Sequence, residues 1–382
     1  LKANRTQRNS IAVLGIKGLP SKGGGERVAE AIIYRALREN YDVTVYGKKD
    51  YCANFCTTDN LKLVLINQFK GKHLSASSFG LLSALHALLF GKYDLIHLHY
   101  ADYGFIVPLL RLRFKVIGTS HGAEYNRDKW NRFAKMCFRV SEALFVRYVN
   151  VCTSVSKPLA KYYRKQYMRD IWYIPNGIFT EEGSIEKNDL VLNKYALKND
   201  DYILFCAGRI IPSKGCDLFL KAVRDVRLDI PIVVVGERSG DLEYKKYLED
   251  LATDRVIFID FIDSKYELYQ LISHCKLFVF PSTYEAMSII LLEVALQKKC
   301  IICSDIPENI EAINKNALFF RSEDYQDLGN RIQYAFEHEE EMRLLGEKAY
   351  EWVCKHRNWA TINEEYMKLY RALLGQATGN IQ

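Results

Sequence analysis

The sequence predicts an α/β protein built from two doubly wound parallel-sheet domains. Short apolar runs alternate with segments of helical spacing along most of the chain, the pattern of βαβ units. At 382 residues the chain exceeds what one ordinary core holds, so a division in two is expected. The alternation is interrupted once, by the polar and poorly periodic residues 179–200.

In the first half, IAVLGI (11–16) is an apolar run ending in glycines, and ERVAEAIIYRALREN (26–40) has helical spacing. YDVTVYG, LKLVLIN, YDLIHLHY and FKVIGTSH read as further strands, and VNVCTSVS and DIWYIPNGI close the set. A second set begins at DYILFCAG (201–208) and runs through IPIVVVGE, RVIFIDFI, CKLFVFPS, KCIICSD and ALFF. The expected organisation is a first domain over 1–178, a linker over 179–200 and a second domain over 201–355. A helix within 356–382 is expected to pack back toward the first domain. Ligands in such sheets sit beyond the carboxyl ends of the strands, and two facing domains would enclose a deep cleft.

A hydrophobic content of 49% with 26% charged residues describes an ordinary folded protein. No apolar run is long enough to span a bilayer, since FGLLSALHALLFGKY is broken by Ser, His and Gly. The opening LKANRTQRNS lacks an apolar core of a secretory leader, so a cytoplasmic location is expected. Ten scattered cysteines suit a reducing compartment. Cys300 and Cys303 form a lone CxxC, but on a strand they would face opposite sides, and no second pair completes a zinc site.

Charge is uneven. Residues 1–170 carry 28 Lys and Arg against 12 Asp and Glu, whereas the remainder carries 25 against 34. Within 105–170 the balance is 14 basic to 4 acidic, mixed with apolar residues. Such a surface suits anionic lipid headgroups at the inner face of a membrane, and Glu124, Arg127, Arg132, Lys135 and Arg139 are its candidates for an acceptor or membrane face. Nucleic acid is the lesser possibility and is not expected.

Four motifs carry chemistry. GIKGLPSKGGGER places Gly24 and Gly25 between a strand and a helix, where backbone amides make an anion site. Its spacing fits neither GxGxxG nor the Walker pattern. CAGRIIPSKGCDLFLKAV puts Arg209 and Lys214 at a strand-to-helix turn, where a fork and a point charge could meet a diphosphate. VIGTSHGAEY brings His121 to a strand end, whereas His86, His97 and His99 are assigned structural roles. FPSTYEAMSIILLEVALQ places Glu285 in a turn, Ser288 as an N-cap and Glu293 inside the following helix. Amides near Met287, Ser288 and Ile289 would point toward the strand ends. The two acids follow one another along one wall, which suits hydroxyl binding better than general acid–base work. No DxD pair is present to hold a divalent cation, so Arg209 and Lys214 are expected to supply the positive charge.

In this order, the glycine loop, the histidine after TS, YIPNGI, the Gly-Arg…Lys-Gly pair and Glu-x7-Glu resemble the retaining GT-B glycosyltransferases of family four, group 1. HGAEYNRDKWNRFAK with GIKGLPSKGGGE is similar to the branch containing bacterial polysaccharide rhamnosyltransferases.

The resemblance implies a GT-B fold and transfer of a sugar from a nucleotide-diphosphate sugar to a glycan or lipid-linked acceptor. It also implies retention of configuration, no metal and no cofactor. It places Gly24 and Gly25 against the donor phosphate and the acceptor, His121 on the transferred sugar, and Arg209 and Lys214 on the diphosphate. Glu285 would take the sugar hydroxyls and Glu293 the ribose. Two positions depart from the family pattern: Ser288 stands where glycine or proline is common, and Asp260 where glycine is frequent. A sugar-nucleotide epimerase of the same fold, or a non-catalytic nucleotide-sugar or lipid-binding module, are the competing readings.

Overall fold

The computed structural model describes residues 8–376, apart from 22, 53–56, 70, 72–73, 124, 126–129, 184–185, 187 and 227. The chain divides into two compact units: one formed by the residues up to Asn176 together with those from Trp359, the other by Gly177–Asn358.

The first unit runs β1 (Ser10–Leu14), α1 (Gly24–Arg38), β2 (Asp42–Lys48), β3 (Leu61–Ile66), α2 (Leu74–Phe90) and β4 (Leu95–His99). A 3-10 turn (Ala101–Ile106) then leads to α3 (Val107–Leu110), β5 (Lys115–Ser120), α4 (Arg132–Tyr148), β6 (Val151–Ser154), α5 (Lys157–Tyr167) and β7 (Trp172–Tyr173). Its seven strands pair in the order β3-β2-β1-β4-β5-β6-β7, every pairing parallel. All five residues of β4 are buried, as expected for a strand covered on both faces. Side chains of α2, α3, α4 and α5 share one apolar cluster with the sheet, including Phe79, Leu110, Phe145 and Tyr163. Helix α4 starts on a cap in which Asn131 accepts from Ala134 N at 2.9 Å.

The second unit opens with a 3-10 turn (Thr180–Gly183) and α6 (Leu190–Lys194). It continues through β8 (Ile203–Arg209), α7 (Cys216–Asp225), β9 (Ile232–Glu237), α8 (Leu242–Leu251), β10 (Val256–Ile259) and α9 (Lys265–His274). After these come β11 (Leu277–Phe280), α10 (Ile289–Leu296), β12 (Ile301–Ser304), α11 (Pro307–Ile313), β13 (Leu318–Phe320), α12 (Tyr325–Glu337) and α13 (Glu339–His356). Its sheet is parallel, in the order β10-β9-β8-β11-β12-β13.

The segment 179–200 is not a free linker. Val191, Leu192 and Leu197 are buried in the core of the second unit, packed with residues of α9. Three apolar side chains at irregular spacing among polar neighbours give no helical period, so the sequence hides this anchor. Cys300 and Cys303 are buried in different apolar clusters of the second unit, as a spacing of three on an extended chain dictates.

The last helix, α14 (Trp359–Leu373), belongs to the first unit. Asn363 Nδ2 donates to Ala31 O at 3.1 Å, and Arg371 pairs with Glu39 at 2.8 Å. Lys115 Nζ donates to Leu373 O at 2.6 Å, and Tyr370 OH lies 2.7 Å from His97 Nδ1.

Candidate active site

In the second unit, two loops at the carboxyl ends of neighbouring strands are joined. One follows β8 and carries a 3-10 turn, Pro212–Lys214; the other follows β11 and leads into α10. Thr283 N donates to Ser213 O at 2.9 Å, and Ser282 Oγ lies 3.0 Å from the same carbonyl. Gly215 makes the approach possible: its φ is +70°, and a Cβ there would stand 2.1 Å from Pro281 O.

This joining brings Lys214 to Glu285. The Lys214 ammonium donates to Glu285 Oε1, and Ser282 Oγ donates to the same oxygen at 2.7 Å. The ammonium also lies 5.6 Å from the centre of the Phe280 ring. Both partners are largely sheltered, with side chains 24% and 11% exposed. Arg209, at the end of β8, is exposed and forms no ion pair among the described residues.

Met287 and Ser288 are buried and Ile289 half-buried. Ser288 occupies the N-cap position of α10, but its hydroxyl makes no capping bond; Ser288 Oγ is buried without a partner among the described residues. The expected cap is therefore positional only, since the side chain is not turned back onto the helix amides. Glu293, in α10, is 1% exposed and accepts from Tyr269 OH at 3.4 Å. Asp260 follows β10 with its side chain open to solvent, 3.6 Å from Arg238. Glu308, which the sequence reading passed over, has its carboxyl pushed upward by burial and by the charges of Glu311 and Glu285. Nothing in its local sequence marks it.

In the first unit, Gly24 and Gly25 are the first residues of α1. A Cβ on Gly25 would stand 2.1 Å from Tyr100 OH, so only glycine fits beside that hydroxyl. Tyr100 OH in turn donates to the buried Glu26 at 3.4 Å.

His121 directly follows β5 and joins a row of imidazoles. His99 Nδ1 lies 2.9 Å from His121 Nε2, and the His97 and His99 rings stack at 4.1 Å. His97 is held at both nitrogens, by Tyr370 OH and by Thr119 Oγ1, each at 2.7 Å. Burial lowers His97 and His121 to about 3, and His99 also falls, through burial and its two histidine neighbours. The structural role expected of His97 and His99 takes a definite form: they support His121. The HLH spacing, which sets both rings on one face of a strand, was the available signal.

Glu142, on α4, is a second residue the sequence reading missed. It is buried and accepts from Tyr125, Tyr163 and Tyr167 at 3.2, 3.0 and 2.9 Å. Burial raises its carboxyl, and the three hydroxyls oppose that shift. Tyr125 lies four residues beyond His121, so this carboxylate anchors the chain leaving the imidazole. Arg132 and Arg139 are exposed on α4 and Lys135 is half-buried. Glu124 and Arg127 lie outside the described residues.

Two family descriptions match the chain: Glycosyltransferase Family 4 over residues 22–182 and Glycosyl transferases group 1 over residues 188–352. The fold matches that of sucrose-phosphate synthase from Thermosynechococcus elongatus with a TM-score of 0.82 at 19% identity, covering 97% of this chain and 100% of that one. Among relatives, the uncharacterized glycosyltransferase YqgM of Bacillus subtilis is 26% identical over 75% of this chain and 80% of its own. An Escherichia coli enzyme, UDP-Gal:alpha-D-GlcNAc-diphosphoundecaprenol alpha-1,3-galactosyltransferase, is 21% identical over 80% of this chain and 82% of its own. Two Rossmann-like parallel sheets in one chain are the GT-B architecture. The chain belongs to the family 4, group 1 glycosyltransferases.

Proposed function

We propose that the protein transfers a sugar from a nucleotide-diphosphate sugar to a lipid-linked or glycan acceptor, with retention of anomeric configuration and without a metal, in surface polysaccharide or glycolipid assembly. The observation that carries this reading is the Lys214–Glu285–Ser282 cluster at the strand ends of the second unit, with Arg209 open on the adjoining strand. A ligand can part a cation and a carboxylate that hold each other, the ammonium turning to phosphate and the carboxylate to hydroxyls. The name of the Escherichia coli relative, which specifies a UDP-sugar and a diphosphoundecaprenol-linked acceptor, supports the substrate classes.

In the proposed reaction the bond from the anomeric carbon to the diphosphate oxygen breaks. The acceptor oxygen bonds to the same face of that carbon, and its proton passes to the departing phosphate oxygen. Arg209, Lys214 and the amides near Met287, Ser288 and Ile289 would stabilise the charge left on the diphosphate. Losing one such preorganised donor typically costs about 10²–10³ in rate. Glu293 is assigned to the ribose, His121 to the transferred sugar, and Gly24 and Gly25 to the phosphate and acceptor.

The reading extends to peripheral contact with anionic lipid on the cytoplasmic side of a membrane. Phe133 and Met136 are exposed on α4 between Arg132 and Arg139, with Val140 exposed just after them, and Leu81, Leu85 and Leu89 are exposed on α2, a helix with no Asp, Glu, Lys or Arg. Among the described residues no helix is long and apolar enough to cross a membrane.

The test is incubation with a panel of UDP-, GDP- and thymidine-diphosphate sugars, with and without a polyprenyl-diphosphate-linked saccharide and with and without chelator. Product anomers are read by NMR. Transfer with retained configuration in chelator supports the proposal. Loss of activity in chelator sinks its metal-free part, and conversion of the donor to its epimer without acceptor sinks transfer altogether.

A further inference from the structure

His99 makes one hydrogen bond and leaves its other ring nitrogen alone. Nδ1 meets His121 Nε2 at 2.9 Å, whereas Nε2 is buried with no partner among the described residues. The ring itself is completely buried. A neutral imidazole carries one N–H and one lone pair, so the bond between the two histidines can run either way. With the proton on His99 Nε2, a buried N–H would be orphaned, a situation folded proteins rarely tolerate. With the proton on Nδ1, the bond to His121 is made and only a lone pair stays unsatisfied.

We propose that His99 is a positioning residue that sets the tautomer of His121: His99 Nδ1–H donates to His121 Nε2, and His121 therefore carries its own proton on Nδ1. His121 then meets its ligand as a neutral hydrogen-bond donor, suited to a sugar hydroxyl or phosphoryl oxygen, and takes no proton from the acceptor. Its Nδ1 has no partner among the described residues and so is available. The rest of the row holds the geometry. His97, tethered at Tyr370 and Thr119, stacks on His99 and fixes the plane of that ring. The depressed ionisation of all three rings agrees with a neutral row. The role of His121 at the substrate rests on the transferase reading above; its tautomer does not.

The experiment is a long-range 1H–15N correlation spectrum of the full ¹⁵N-labelled chain at neutral pH, with His121 assigned by substitution. A protonated Nδ1 and a bare Nε2 on His121 are expected; the reverse pattern overturns the proposal whether or not any sugar is transferred. Two variants extend it. His99→Asn keeps an amide donor near the position of Nδ1 and should preserve the His121 pattern and turnover. His99→Leu removes the donor and should mix the tautomers. Turnover should then fall about tenfold or more, by analogy with the outer partners of metal-bound histidines. A folded His99→Leu protein with an unchanged His121 spectrum or unchanged turnover refutes the positioning role. If that variant does not fold, the wild-type spectrum and the Asn variant decide. Absence of transfer with every donor would instead defeat the function and leave the tautomer standing.

Discussion

Lys214 and Glu285, 71 residues apart in the chain, are bonded to each other in the second unit, and Ser282 donates to the same carboxylate oxygen. The sequence marks both residues as ligand-binding groups and gives no sign that they neutralise one another. The pairing offsets the desolvation that both charges suffer at this sheltered position.

Removing either partner leaves the other sheltered and unpaired. Lys214→Ala and Glu285→Ala are each expected to reduce turnover at least about tenfold, as loss of a preorganised charge-stabilising group does. Circular dichroism should show both variants folded. Unchanged turnover in both would remove the assignment of this cluster to the donor.

Arg209 is exposed and carries no ion pair among the described residues, so it contributes little to stability. Arg209→Ala should therefore melt with the parent protein. It should also lose about a factor of ten in turnover. The rise in melting temperature produced by a nucleoside diphosphate should shrink as well. A large drop in the melting temperature of the free variant would mean the residue is structural.

The histidine row predicts acid sensitivity. His97 and His121 are held at about 3, against an ordinary value of 6.5. As pH falls below 6.5 the unfolded chain takes up protons that the folded rings refuse. Their contribution to stability is thus complete above that value and drains away down to about 3. Glu142 and Glu308, raised by burial, act in the opposite sense above their ordinary 4.5, two groups against three. Calorimetry should show a lower melting temperature at mildly acid than at neutral pH, and less so in His97→Gln. A melting temperature that rises on mild acidification would contradict the neutral row.

Binding to lipid should depend on charge and apolar contact together. Replacing Arg132 and Arg139 by Gln, or Phe133 and Met136 by Ser, should each reduce cosedimentation with phosphatidylglycerol vesicles. Added salt should weaken the parent protein more than the Arg-to-Gln variant. Equal binding by all three proteins would leave the membrane reading without support.

The alternation of apolar runs made the two sheets readable, because buried parallel strands such as β9 and β11 leave almost uniform apolar stretches. Lys214 and Glu285 were legible for another reason: each stands in a turn that joins a strand to a helix, where a charged side chain meets the strand ends. What stayed hidden depends on distance in sequence. Val191, Leu192 and Leu197 look like stray apolar residues until the core of the second unit supplies their neighbours. His97 cannot announce that its partner is Tyr370, 273 residues away. Glu142 reads as a helix-surface acid, because the tyrosines that cover it come from other segments.

The return of α14 to the first unit has a consequence for engineering. Residues 177–358 form an insertion within the first unit rather than a second half appended to it. A chimera that takes the second unit from a relative must be spliced at both junctions. A chain cut after Asn358 would strip Tyr370 from His97 and open the back of the imidazole row, although every residue proposed to touch substrate would still be present.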